Sequence, residues 1–210
     1  MTDFKRYITQ LADISPMACL SGGWMLIMAS DRLAHAIIAA AALVWVYCLT
    51  SLAVHAGIRF FPKRGKNVLL VFLASFIASI YIFLIWVFSP LCALQTFFVV
   101  SLIPFLYLGQ GTFRKYAALN LKEKFFESLS DALILGSLIV VFSLIREPLG
   151  FLSLSLPGSA HGIILLFSFK SDALLPVHIL ASSSGALLLM GYFLGLYRYY
   201  RAKNAVKGGI

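Results

Sequence analysis

The sequence predicts an all-α integral membrane protein of six transmembrane helices, built as two inverted three-helix repeats whose first helices are broken. Three observations carry this. Apolar residues make up 61% of the 210-residue chain and charged residues 12%, with a mean hydropathy of +0.94, whereas soluble domains run at roughly 25% charged. Several apolar runs reach the roughly 18 residues that a spanning helix needs. Finally, 14 of the 17 Lys and Arg residues fall on one side when successive loops are alternated.

The elements follow in order. Phe4, Ile8, Leu11 and Ile14 recur at helical spacing, apart from Lys5, Arg6 and Asp13, the pattern of a short helix lying in the membrane interface. A first span over Pro16–Ser30 is short and interrupted by Ser21-Gly22-Gly23; it lacks a small-residue cleavage site and reads as a span rather than a leader. The second span runs from Leu33 to Ile58 and ends in a basic turn, Arg59 to Lys66. The third, Val68–Phe88, closes at Ser89-Pro90.

The fourth span, Leu91–Leu108, leads into Gly109-Gln110-Gly111, and residues 112–127 read as a basic loop with Phe113, Tyr116, Phe125 and Phe126 as interfacial anchors. Ser128–Ile145 is the fifth span. His161–Phe169 is apolar but too short to cross a core of roughly 30 Å, so it is expected to be a re-entrant or interfacial piece sheltered by protein. The sixth span is Leu175–Tyr197.

Alternation puts Lys5, Arg6, Arg59, Lys63, Arg64, Lys66, Arg114, Lys115, Lys122, Lys124, Arg198, Arg201, Lys203 and Lys207 on one side, and Arg32, Arg146 and Lys170 on the other. The positive-inside rule then places both termini in the cytoplasm. The two halves, 1–90 and 91–210, have opposite orientation and each opens on a glycine-marked helix. Gly22, Gly23, Gly109 and Gly111 are therefore the expected broken-helix positions, since paired interruptions in matching places mark inverted repeats; small residues that let helices pack closely are the simpler reading.

Residues that carry chemistry are few. The net charge of +9 does not signal nucleic acid, because the basic residues flank apolar runs instead of lining one face. Cys19, Cys48 and Cys92 show no metal-ligand or disulfide spacing and read as small apolar fillers. No phosphate loop or zinc motif is present. His35, His55, His161 and His178 are expected to bond to backbone or headgroups at span ends. Asp131, about one turn inside the expected fifth span, is the ion-pathway candidate, since an intramembrane acid needs a partner or a water-filled path; the alternative is a helix-capping acid. No catalytic or metal-binding residue is expected.

A resemblance appears in the second half. Gly109-Gln110-Gly111, then Lys115 to Asn120, Ser130-Asp131-Ala132-Leu133, Ser143-Leu144-Ile145-Arg146-Glu147-Pro148-Leu149-Gly150, Leu166 to Phe169 and Leu174-Leu175-Pro176 follow in an order that resembles the six-helix membrane subunits of the Rnf ion-translocating oxidoreductase and the sodium-pumping NADH:quinone oxidoreductase, Nqr. The segment Gly185 to Asn204 resembles the last helix and tail of that family, and the N-in, C-in orientation resembles the Rnf E or Nqr D type.

The resemblance implies an ion-translocating electron-transport complex of the bacterial cytoplasmic membrane. The partners would be its other subunits, an oppositely oriented sister among them. In the family, the sister pair shares a [2Fe-2S] cluster held by cysteines on the broken helices. The matching positions here, near Gly23–Met25 and at Phe105, have no cysteine, so the expectation is that this chain holds no cofactor. A small inverted-repeat solute or ion transporter and a non-catalytic assembly subunit are the competing readings.

Overall fold

A computed structural model describes residues 31–57, 66–109, 121–158, 162–168, 179 and 182–207. In order these form α1 (Leu33–Gly57), α2 (Lys66–Phe88), α3 (Pro90–Gly109), α4 (Leu121–Phe151), the strands β1 (Ser153–Pro157) and β2 (Ile163–Ser168), and α5 (Ser183–Lys207). Four of the helices, over Leu33–Gly57, Val68–Phe88, Pro90–Tyr107 and Leu121–Phe151, are long and apolar enough to cross a membrane. The protein is accordingly a mainly helical, membrane-embedded chain.

Its surface is inverted relative to a soluble protein. Along α2 and α3, Val68, Phe72, Phe76, Phe83, Phe88, Phe97 and Phe98 all stand exposed, as lipid requires. The core is made of small and medium residues centred on α1, where Ala34, Ala36, Ala39, Ala42, Leu43, Val46 and Tyr47 are buried. Alanines at that density let helix backbones approach closely, and close packing replaces the hydrophobic effect as the source of association in lipid. α1 packs on α2, α3 and β1, and most extensively on α4.

The α1–α4 contact is antiparallel. Leu33 meets Glu147 at one end, and Ala40 meets Gly136 in the middle, where a Cβ added to Gly136 would lie 3.1 Å from the Ala40 Cβ. Farther along, the Asp131 charge is felt at Tyr47. Leu33, Ala40 and Tyr47 are seven residues apart on α1, so one face of that helix, two turns at a time, forms the seam. α2 and α3 form a tight hairpin through Ser89, whose N–H donates to the Ile85 carbonyl and whose carbonyl accepts from Ala93. Pro90, the first residue of α3, takes the one helical position where a missing N–H costs nothing.

The second, third and fourth expected spans coincide with α1, α2 and α3. The first lies outside the described residues, as do Gly22, Gly23 and Gly111. Gly109 is the last helical residue of α3, which is unbroken over 20 residues, about 30 Å. Three expectations are corrected. α4 begins at Leu121 and ends at Phe151, so residues 121–127 are helix, not loop, and the helix extends past Ile145. An antiparallel hairpin, with Leu154 opposite Phe167 and Pro157 opposite Ile163, follows α4 within the mainly helical fold, and most of the short apolar piece 161–169, expected to be re-entrant or interfacial, is β2. The last helix begins at Ser183, later than Leu175, and its apolar part is Ser184–Phe193.

Candidate functional site

Two polar clusters lie on the α1–α4 seam, one at its Leu33 end and one two-thirds of the way along. The first exists because α1 cannot cap itself. The Arg32 carbonyl accepts the first helical bond, from Ala36, which puts Arg32 at the cap position with no side-chain acceptor to offer. The free amides are satisfied from elsewhere: Leu33 N–H donates to Glu147 Oε2 at 2.8 Å and Ala34 N–H to Ser155 Oγ at 3.5 Å. The Glu147 carboxylate also opposes the positive end of the helix dipole.

Charge is concentrated around that junction. Arg146 and Glu147 are 1% and 0% exposed. Arg146 donates to the Ser182 carbonyl at 3.0 Å, just ahead of α5, and is within electrostatic reach of Asp31. Arg32 lies over the Phe151 ring, 5.2 Å from its centre, a cation–π contact. The His35 ring bridges Asp31 Oδ1, at 2.6 Å, and Gln95 Oε1 on α3, at 3.1 Å. Burial works against the Asp31 charge, but the His35 hydrogen bond and charge, with Arg32, outweigh it and hold that carboxyl below its ordinary range. The Oε1 atom of Glu147 is buried without a hydrogen-bond partner among the described residues.

The hairpin is fastened to the same junction. The Cys92 thiol, near the start of α3, donates to the Gly162 carbonyl at 2.8 Å. Gly162 has φ +80, and a Cβ there would lie 3.1 Å from Leu91, so both the turn and the close approach need glycine.

The second cluster contains Asp131. It is the eleventh residue of α4, about 15 Å from the helix start, too deep to cap it. Its charge reaches Tyr47, and the Tyr47 and Tyr107 rings meet edge to face with centres 4.9 Å apart. One turn farther along the antiparallel seam come Thr50 and Ser128. Both are fully buried, and their hydroxyls have no hydrogen-bond partner among the described residues. A buried hydroxyl without a partner costs about 1–3 kcal/mol, and those of Ser89 and Ser143 are also unpartnered among the described residues. Oxygen donors predominate here, as carboxylate, phenols and hydroxyls, which is the chemistry of hard cations; the buried Lys124 lies one turn beyond Ser128 on α4.

Sequence reasoning found Asp131 but none of its neighbours, and it expected His35 only to bond to backbone or headgroups at a span end. The i, i+4 spacing of Asp31 and His35 was a readable signal; Gln95 and Glu147, remote in sequence, gave none. Of the cysteines, Cys48 and Cys92 are free and buried; Cys19 lies outside the described residues. Of the two positions where the resembled family's cluster cysteines would fall, the one near Gly23–Met25 lies outside the described residues. Phe105 offers no thiolate and faces outward at 62% exposure, and Cys92 is engaged by the hairpin at the opposite end of α3. No family model matches the chain, and no curated protein matches it.

Proposed function

We propose that this chain is a non-catalytic membrane subunit of a redox-driven ion-translocating complex of the Rnf/Nqr type. It lies in the bacterial cytoplasmic membrane with both termini inside, beside an oppositely oriented sister subunit, and contributes an ion-handling site while leaving electron transfer to its partners. The observation that carries the reading is Asp131, held in the α1–α4 seam with Tyr47, Tyr107 and the unpartnered hydroxyls of Thr50 and Ser128. A carboxylate kept in a spanning segment, at a cost of about 2.5–3.5 kcal/mol when unsupported, is by default a functional group.

The arrangement of helices also supports the inverted repeat. α1 and α4 are the middle helices of the two expected halves, and they pack on each other more extensively than any other described pair; their antiparallel run is the relation that a two-fold axis in the membrane plane would give equivalent helices. The same cation-binding oxygens suit a small transporter acting alone, and purification separates the two. The tagged chain, extracted in mild detergent, should bring flavin- or iron–sulfur-containing proteins with it in fixed ratio. A chain that purifies alone and moves cations in liposomes without an electron donor would replace the subunit reading with the transporter one.

A further inference from the structure

His35 stands between two oxygens. Its Nδ1 lies 2.6 Å from Asp31 Oδ1 and its Nε2 3.1 Å from Gln95 Oε1. A carboxylate oxygen and an amide carbonyl oxygen are both acceptors, and a neutral imidazole has only one N–H to give. In either neutral tautomer, one contact would set a ring lone pair against an oxygen lone pair at hydrogen-bond distance. Only the doubly protonated ring donates to both. The alternative is to turn the Gln95 amide end for end, so that its NH2 donates to a neutral ring.

We propose that Asp31, His35 and Gln95 form a proton-binding site at the Leu33 end of the bundle, in which the bound proton ties α1 to α3. The site rests on the geometry of these three side chains and is independent of the ion-translocating reading. Access comes through Asp31, whose side chain is 42% exposed while that of His35 is 8% exposed. Uptake is a simple balance: a hydronium ion gives its proton to the ring nitrogen that lacks one, its O–H bond breaks to leave water, and the ring gains one positive charge.

The surrounding charges come from the start of α1 and from α4, while α3 and β1 add neutral groups. Asp31, next to the ring, favours the imidazolium, and Arg32 on the same segment opposes it. α4 brings Glu147 and Arg146, one of each sign, and Arg146 is also in reach of Asp31. α3 contributes the neutral Gln95, with Cys92 three residues away turned to the hairpin. β1 contributes only Ser155. The α1 dipole opposes a cation in the first turn, so the Asp31 carboxylate is the group on which the charged ring depends.

The test is nitrogen NMR on the full chain in lipid nanodiscs with 15N-labelled histidine. Changing His55, His161 and His178 to Gln leaves one histidine signal. At pH 7 both ring nitrogens of His35 should carry protons. Asp31→Asn should convert the ring to a neutral tautomer at the same pH, with helix content by circular dichroism unchanged. A neutral His35 in the parent at pH 7 would overturn the proposal, since Gln95 must then be turned. So would an Asp31→Asn ring that stays charged. The parent spectrum decides alone if the variant fails to fold.

Discussion

Glu147 is the residue whose replacement most sharply tests how the bundle is closed. Its Oε2 accepts the Leu33 N–H at 2.8 Å, and the side chain is fully buried. Glu147→Gln keeps an acceptor in place and loses only the charge facing the α1 dipole, worth about 0.3–1 kcal/mol and up to ~2 when buried. Glu147→Ala removes the acceptor as well, leaving a buried amide unsatisfied at about 1–3 kcal/mol beyond the charge effect. The total is about 3 kcal/mol, roughly a hundredfold in the folded-to-unfolded ratio. Ser155 is a poor substitute, because its 3.5 Å contact to Ala34 is at the long limit of a hydrogen bond; Ser155→Ala should cost about 0.5 kcal/mol. Unfolding by sodium dodecyl sulfate in mixed micelles, followed by circular dichroism, ranks the three variants. If Glu147→Ala and Glu147→Gln lose the same stability, the carboxylate does not cap α1 and the reasoning fails.

Two further outcomes follow from the same seam. Gly136→Ala needs a shift of a few tenths of an ångström against Ala40 and should cost about 1 kcal/mol, with Ala40→Gly restoring most of it in the double variant; strict additivity, read from the same denaturation, would deny the contact. Asp31 has its carboxyl held below the ordinary 3.8, so its contribution is complete above that value and is lost as pH falls through the lower folded-state value. Thermal stability in detergent should therefore drop below about pH 4, and Asp31→Asn should remove that part of the drop.

Hydropathy made α1, α2 and α3 legible almost to the residue, because long apolar runs have one meaning in a membrane chain. α4 was read too short because its first seven residues carry Lys122, Glu123, Lys124 and Glu127, which end a hydropathy window without ending a helix. Asn120 followed by Glu123 is the spacing of a capping box, and it marked the true start. The hairpin also left a trace: Ser153-Leu154-Ser155-Leu156 alternates with period two, followed by Pro157-Gly158, a strand with a turn. Reading 161–169 as a re-entrant or interfacial piece hid it.

The candidate sites were less visible for a different reason. Asp131 stood out by being charged in an apolar context, but Thr50 and Ser128 are ordinary residues on different helices. Only the antiparallel register of α1 and α4 brings them to one level. The His35 bridge likewise joins residues 60 positions apart, and no local pattern reports such a contact.

The most direct test of the subunit assignment is cation uptake driven by NADH oxidation in membrane vesicles. The comparison is between cells with the native chain, cells lacking it, and cells carrying Asp131→Asn at equal abundance and assembly. The assignment predicts uptake with the native chain, none without it, and strong loss in Asp131→Asn although the complex still forms. Uptake unchanged by Asp131→Asn, or by removal of the chain altogether, would contradict it.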